Sequence, residues 1–282
     1  MNTARSGLLL FAALQLWPAA GACAAELAAV VSSDYPPYSE ACSAFAGALN
    51  GTPDIYDASS PSFSVPYDLR YVAAFGARAA ALRYPPETRV VYALAPVVLR
   101  GRTWYEISLL PSAGMALPAL KALQPGLKRL AVFWDVYPGE DYVESLRMAG
   151  KKLGIEIISA RLSSPDSFPE RLRRLMGKMD AFWLMPDPAL ITNTSLLVLG
   201  AFSCDNSIPF YAPTRALLDR GATAVYAPDF AGAGIVAAMV VSALREGRAP
   251  PHVTYPKAEL TVNYSLWGKC RWPLSGTPPS RP

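Results

Sequence analysis

The chain has 282 residues, 52% of them apolar and 17% charged, with a formal net charge of +4. That length holds one large domain or two compact lobes, and the apolar content excludes a disordered chain. The weak positive charge, with no dense Lys/Arg run, excludes a nucleic-acid surface, and a single histidine, His252, removes most metal and triad chemistry.

At the N-terminus, Arg5 precedes the apolar run from Gly7 to Leu14, and Ala20-Gly21-Ala22-Cys23-Ala24-Ala25 follows. A basic start, a short apolar stretch and small residues at the end predict an export signal over residues 1–25. The run is too short, and Pro18 too close, for a membrane span of about 20 residues. Cys23 adds the option of a lipid anchor. Export implies a periplasmic, oxidising compartment, where Cys42, Cys204 and Cys270 remain. Their spacing forms no C-x-x-C motif, and an odd count leaves at least one unpaired.

Beyond residue 26, short apolar runs alternate with amphipathic stretches. Strands are predicted at Leu27–Val31, Tyr71–Phe75 and Arg89–Leu94, with helices at 39–49 and 77–82. The second half repeats the scheme with strands at 130–134, 155–160, 181–184, 208–211 and 223–226. Helices fall between them at 139–153, closed by Gly154, and at 167–176 and 194–202, with a short one after Thr214. A long apolar helix runs from Phe230 to Arg245, and a last strand lies near Leu260–Val262. Continuous apolar strands alternating with helices predict an α/β fold of two lobes with parallel sheets.

Ligands of such folds bind where loops leave the carboxyl ends of strands. Those loops carry Ser32 and Ser33, whose position before a helix suits an anionic group. They also carry Asp135, Asp187 and Asp229, which suit an ammonium group, and aromatic faces that suit a planar one. Alanine at Asp187 or Asp229 is expected to weaken binding without unfolding the protein. No G-x-S-x-G and no phosphate-binding loop occurs, and no cofactor or metal is expected.

The runs Asp180–Pro188, Ile208–Leu217 and Gly221–Phe230 resemble those of the ABC-transporter substrate-binding family, in the branch that includes tryptophan- and tyrosine-binding-type proteins. The likeness extends over most of residues 27–264. It implies a type I periplasmic-binding-protein fold, with two Rossmann-like lobes joined by a three-segment hinge near 106–109, 227–230 and 250–255. One lobe would comprise residues 26–106 with about 229–251, the other 107–228 with about 252–266, and 267–282 would be a tail. By position, Ser32 and Ser33 would face the ligand from the first lobe. Ser108, Asp135, Tyr137, Asp187, Tyr211 and Asp229 would face it from the second lobe and hinge. The resemblance implies a monomeric, non-enzymatic protein that captures a small solute, an amino acid or aromatic compound, and delivers it to an ABC permease in the inner membrane. A sensing module of the same fold is the alternative reading, and an exported hydrolase the third.

Overall fold

The computed structural model describes residues 26–49, 51–99 and 101–276. The expected signal, residues 1–25 with Cys23, lies outside the described residues. In chain order the first half reads β1 (Leu27–Val31), α1 (Pro36–Ala48), β2 (Asp54–Asp57), β3 (Tyr71–Phe75), α2 (Ala77–Ala80), β4 (Arg89–Ala93) and β5 (Trp104–Ile107). The second half reads α3 (Ala113–Leu123), β6 (Arg129–Trp134), α4 (Glu140–Leu153), β7 (Glu156–Arg161), α5 (Phe168–Leu175), β8 (Ala181–Leu184), α6 (Asn193–Asp205), β9 (Phe210–Ala212) and β10 (Ala224–Pro228). The chain ends through α7 (Phe230–Arg245), β11 (Val253–Thr254), β12 (Ala258–Val262) and α8 (Tyr264–Cys270).

The strands form two six-stranded sheets, ordered β11-β5-β4-β3-β1-β2 and β12-β10-β9-β8-β6-β7. Each is parallel apart from β12, which runs antiparallel to β10. The predicted α/β fold of two lobes is therefore the observed one. Parallel strands buried on both faces explain why β1, β3 and β4 read as continuous apolar runs. Each sheet has a core on both sides. Phe45, Phe75 and Val241 lie on one face of the first sheet, with Val30, Val72 and Tyr92 on the other. Leu117, Leu146 and Trp183 lie on one face of the second, with Phe133, Phe168 and Phe182 on the other.

The chain passes between the sheets three times: after β5, after β10, and between β11 and β12. The last passage comes later than expected from the sequence. Val253 and Thr254 still pair with Glu106 and Ile107 in the first sheet, and only Ala258 onward joins the second. Helix α7 returns to pack on α1, and the two meet at a glycine. A Cβ built on Gly234 would stand 2.0 Å from the Ala41 carbonyl oxygen, so only glycine permits this approach.

Residues 267–276 are not a loose tail. Trp267, Cys270 and Trp272 form a buried cluster, and Cys270 is bonded to Cys204 of α6. Among the described residues Cys42 is the free cysteine, and it is buried. No helix among the described residues is long and apolar enough to cross a membrane.

Candidate functional site

Register aligns the strand ends, so the loops that follow them cluster. Val31 pairs with Phe75 and Phe75 with Ala93, which brings Ser32, Gly76 and Leu94 to one edge of the first sheet. In the second sheet Phe133 pairs with Leu184, setting the Asp135 and Asp187 loops side by side.

Between the lobes, beside the first and third crossings, lies a cleft of about 390 Å³. That is within the roughly 300–1,000 Å³ range of small-molecule sites. The first lobe contributes Tyr92, Val98, Leu99 and Trp104, the second Tyr137, Pro138, Gly139 and the start of α4, and the third crossing His252 and Tyr255. Glu106 and Ser108, from the first crossing, complete the lining.

Glu106 organises this cleft. Its Oε1 accepts a hydrogen bond from the Tyr137 hydroxyl at 3.0 Å, and its Oε2 accepts one from the Tyr92 hydroxyl at 3.1 Å. Tyr92 belongs to the first lobe and Tyr137 to the second, so one carboxylate joins both beside the crossing. Burial raises the Glu106 carboxyl above the usual range, against the pull of the two hydroxyls. Burial, then the nearby Glu106 charge, pushes the Tyr137 phenol well above its ordinary value. The Tyr137 oxygen also accepts from the Leu109 backbone N–H at 3.4 Å, tying the loop to the crossing strand. His252 stacks on Tyr105 with ring centroids 5.0 Å apart, and its Nδ1 lies 2.9 Å from the Trp104 carbonyl oxygen.

Asp187 holds the second-lobe wall in place. It is 3% exposed, and its Oδ2 accepts from the backbone N–H groups of Asp135, Val136 and Tyr137 at 3.2, 2.8 and 3.1 Å. Its Oδ1 accepts from Ala189 N at 3.1 Å. Asp187, expected to receive a ligand ammonium, here binds its neighbouring loop. Consecutive N–H groups of a tight turn converge on it, and it positions Tyr137 rather than offering a free face.

The other residues predicted for the site fall in several places. Ser108 and Tyr137 line the cleft, and Ser108 Oγ accepts from Leu110 N at 3.1 Å. Asp135 lies on the clamped loop, 3.6 Å from Arg161 Nε, with the Arg161 guanidinium 5.3 Å from the centre of the Trp134 ring. Ser32 sits at the carboxyl edge of the first sheet, its hydroxyl accepting from Ala79 N at 3.0 Å. Gly76 permits that contact, because a Cβ there would stand 2.5 Å from Ser32 Oγ. Ser33 accepts from Tyr35 N, which closes the turn into α1. Asp229 caps α7 by accepting from Gly232 N at the second crossing. Tyr211 is buried in the second-lobe core, and its hydroxyl donates to Gln124 Oε1 at 2.8 Å.

In sequence Glu106 and Tyr255 stand only as hinge positions, and no motif marks Tyr92 or Trp104 for the site. One signal was present: Glu106 is the lone acid in the otherwise apolar strand Trp104-Tyr105-Glu106-Ile107. Among the described residues, no group of three or more His, Cys, Asp or Glu is arranged to hold a metal ion.

A family model described as ABC transporter substrate binding protein matches residues 116–266. Compared with curated protein sequences, the chain matches none. Among solved structures it is similar to the ligand-free, open form of a substrate-binding protein with adhesive properties from Clostridium difficile. That match has a TM-score of 0.62 at 15% identity, covering 88% of this chain and 95% of the other. A domain from Streptococcus pneumonia in complex with L-Trp matches with a TM-score of 0.60 at 13% identity, over 88% and 94% of the two chains. An ABC sugar transporter subunit from Rhodobacter sphaeroides matches with a TM-score of 0.51 at 13% identity, over 84% and 98%. At such identities the likeness is one of fold.

Proposed function

This chain belongs to the ABC transporter substrate-binding protein family, and from that premise we propose that it is an exported receptor that captures a small solute between its lobes for an ABC importer. The observation that carries the reading is the cleft beside the first and third crossings, where Tyr92 and Tyr137 from opposite lobes meet on Glu106. Two sheets joined by three crossings can rotate about them, and a solute touching both lobes favours the closed form. Moving such an equilibrium from 1:99 to 99:1 requires about 10⁴-fold tighter binding to the closed state. Contacts from both walls of one cleft are a physical means to that difference. The closed form then serves as the signal read by a membrane permease.

Within this reading, Ser108 and Tyr137 act as solute contacts, while Asp135 and Asp187 shape the second-lobe wall. Ser32 and Ser33 lie where the first lobe would meet the solute on closure, and Asp229 caps the helix leaving the second crossing. Export is supported by the Cys204–Cys270 disulfide, a bond that persists in oxidising compartments.

The test is to release small molecules from the purified protein by denaturation and identify them by mass spectrometry. Adding the released solute back to stripped protein is expected to raise the melting temperature, because a ligand bound only by the native state stabilises it. The solute is expected to be recovered chemically unchanged. Its conversion to a product would instead indicate an enzyme.

A further inference from the structure

The cleft is chemically one-sided. Each oxygen of Glu106 is engaged by one tyrosine hydroxyl. A donating hydroxyl holds a carboxylate as an acceptor, and a carboxylate offers about four lone-pair sites in all. Counting the described residues, each oxygen therefore keeps a site for a donor on a bound molecule. Among the described residues, no lysine or arginine lines the cleft. Glu106 is half-buried, and with no lysine or arginine among the described lining residues, closing the lobes over it raises the cost of its charge. The aromatic residues Trp104, Tyr142 and Tyr255 border the same space. Aromatic faces attract cations and accept flat or alkyl bodies alike.

Resting on the reading of this cleft as the solute site, we propose that the captured solute is an organic cation bearing N–H donors. Its head would be a primary ammonium or guanidinium seated on Glu106, and its body an aromatic or alkyl group against Trp104 and Tyr255. A neutral polyol would hydrogen-bond to Glu106 without neutralising it. A zwitterionic amino acid would bring a carboxylate toward Glu106 and Asp141, with no lysine or arginine among the described lining residues to receive it.

The proposal is tested by calorimetric titration of stripped protein with tryptamine, agmatine, L-tryptophan, indole-3-acetate and ribose. At least one of the two cations is expected to bind, L-tryptophan to bind about tenfold or more weakly than tryptamine, and indole-3-acetate and ribose not to bind. Glu106→Gln is expected to lower the affinity for the binding cation by about 30-fold or more, since the amide removes the charge but keeps the shape. Tyr255 is 39% exposed, so Tyr255→Ala is expected to fold and gives an independent check: a loss of about three- to tenfold. Failure of both cations, or a cation affinity indifferent to Glu106→Gln and Tyr255→Ala, overturns the assignment. If ribose, indole-3-acetate or a released neutral solute binds instead, solute capture stands and the cationic class falls. A protein that releases no small molecule and binds no probe contradicts solute capture itself.

Discussion

Asp187→Ala is expected to lower the stability of the solute-free protein by about 3–4 kcal/mol, and its melting temperature by about 10 °C. The carboxylate accepts four backbone hydrogen bonds, three of them from the consecutive residues 135–137. Bonds to a charged acceptor contribute about 1.5–3 kcal/mol each. The total falls short of the sum because water enters to satisfy part of the freed turn. Solute binding is expected to be lost with the clamp, because Tyr137 then no longer holds Glu106 and one wall of the cleft is displaced. Thermal melts without solute separate this account from direct ligand contact. An unchanged melting temperature with lost affinity would make Asp187 a ligand residue after all.

Removing the Cys204–Cys270 bond is expected to cost about 4 kcal/mol. The cysteines are 66 residues apart in sequence, and closing a loop of that length removes about that much chain entropy from the unfolded state. The bond also fastens the last helix to α6. Trp272 Nε1 donates to Ser203 Oγ at 3.0 Å, and Trp267 Nε1 donates to the Trp272 carbonyl at 3.0 Å. Urea unfolding of Cys204→Ser/Cys270→Ser against the parent measures the loss, and a difference below about 1 kcal/mol would contradict it. In the oxidised native protein a thiol reagent is expected to find no reactive group among the described residues. Cys42 is buried, and burial raises its thiol above the ordinary value.

Much of the fold is legible in sequence because a parallel strand covered on both faces is written as an unbroken apolar run, as in Val30-Val31 or Phe182-Trp183-Leu184. Strand β2 escapes for the opposite reason: Asp-Ile-Tyr-Asp lies at a sheet edge and is half polar. Helix α3 is hidden by Gly114 and by Pro118 in its interior, residues that ordinarily break helices but here sit in one supported by packing on α4. The site was harder to read. A loop position at a strand end predicts proximity to the cleft, and for Ser108 and Tyr137 that suffices. It does not say which way a side chain turns. Asp187 turns back to bind its neighbouring loop, and Tyr211 turns into the core. Glu106 depends on tyrosines 14 positions before it and 31 after it, a meeting that only the tertiary structure brings about.

The most direct test of capture between lobes is hydrogen–deuterium exchange on stripped protein, with and without the solute released from it. Protection is predicted to rise together in residues 104–108, 135–145 and 252–256, the crossing strand, the second-lobe wall and the third crossing. Protection confined to one lobe, or absent from all three segments while the solute is bound, would contradict closure of the two lobes on a shared ligand.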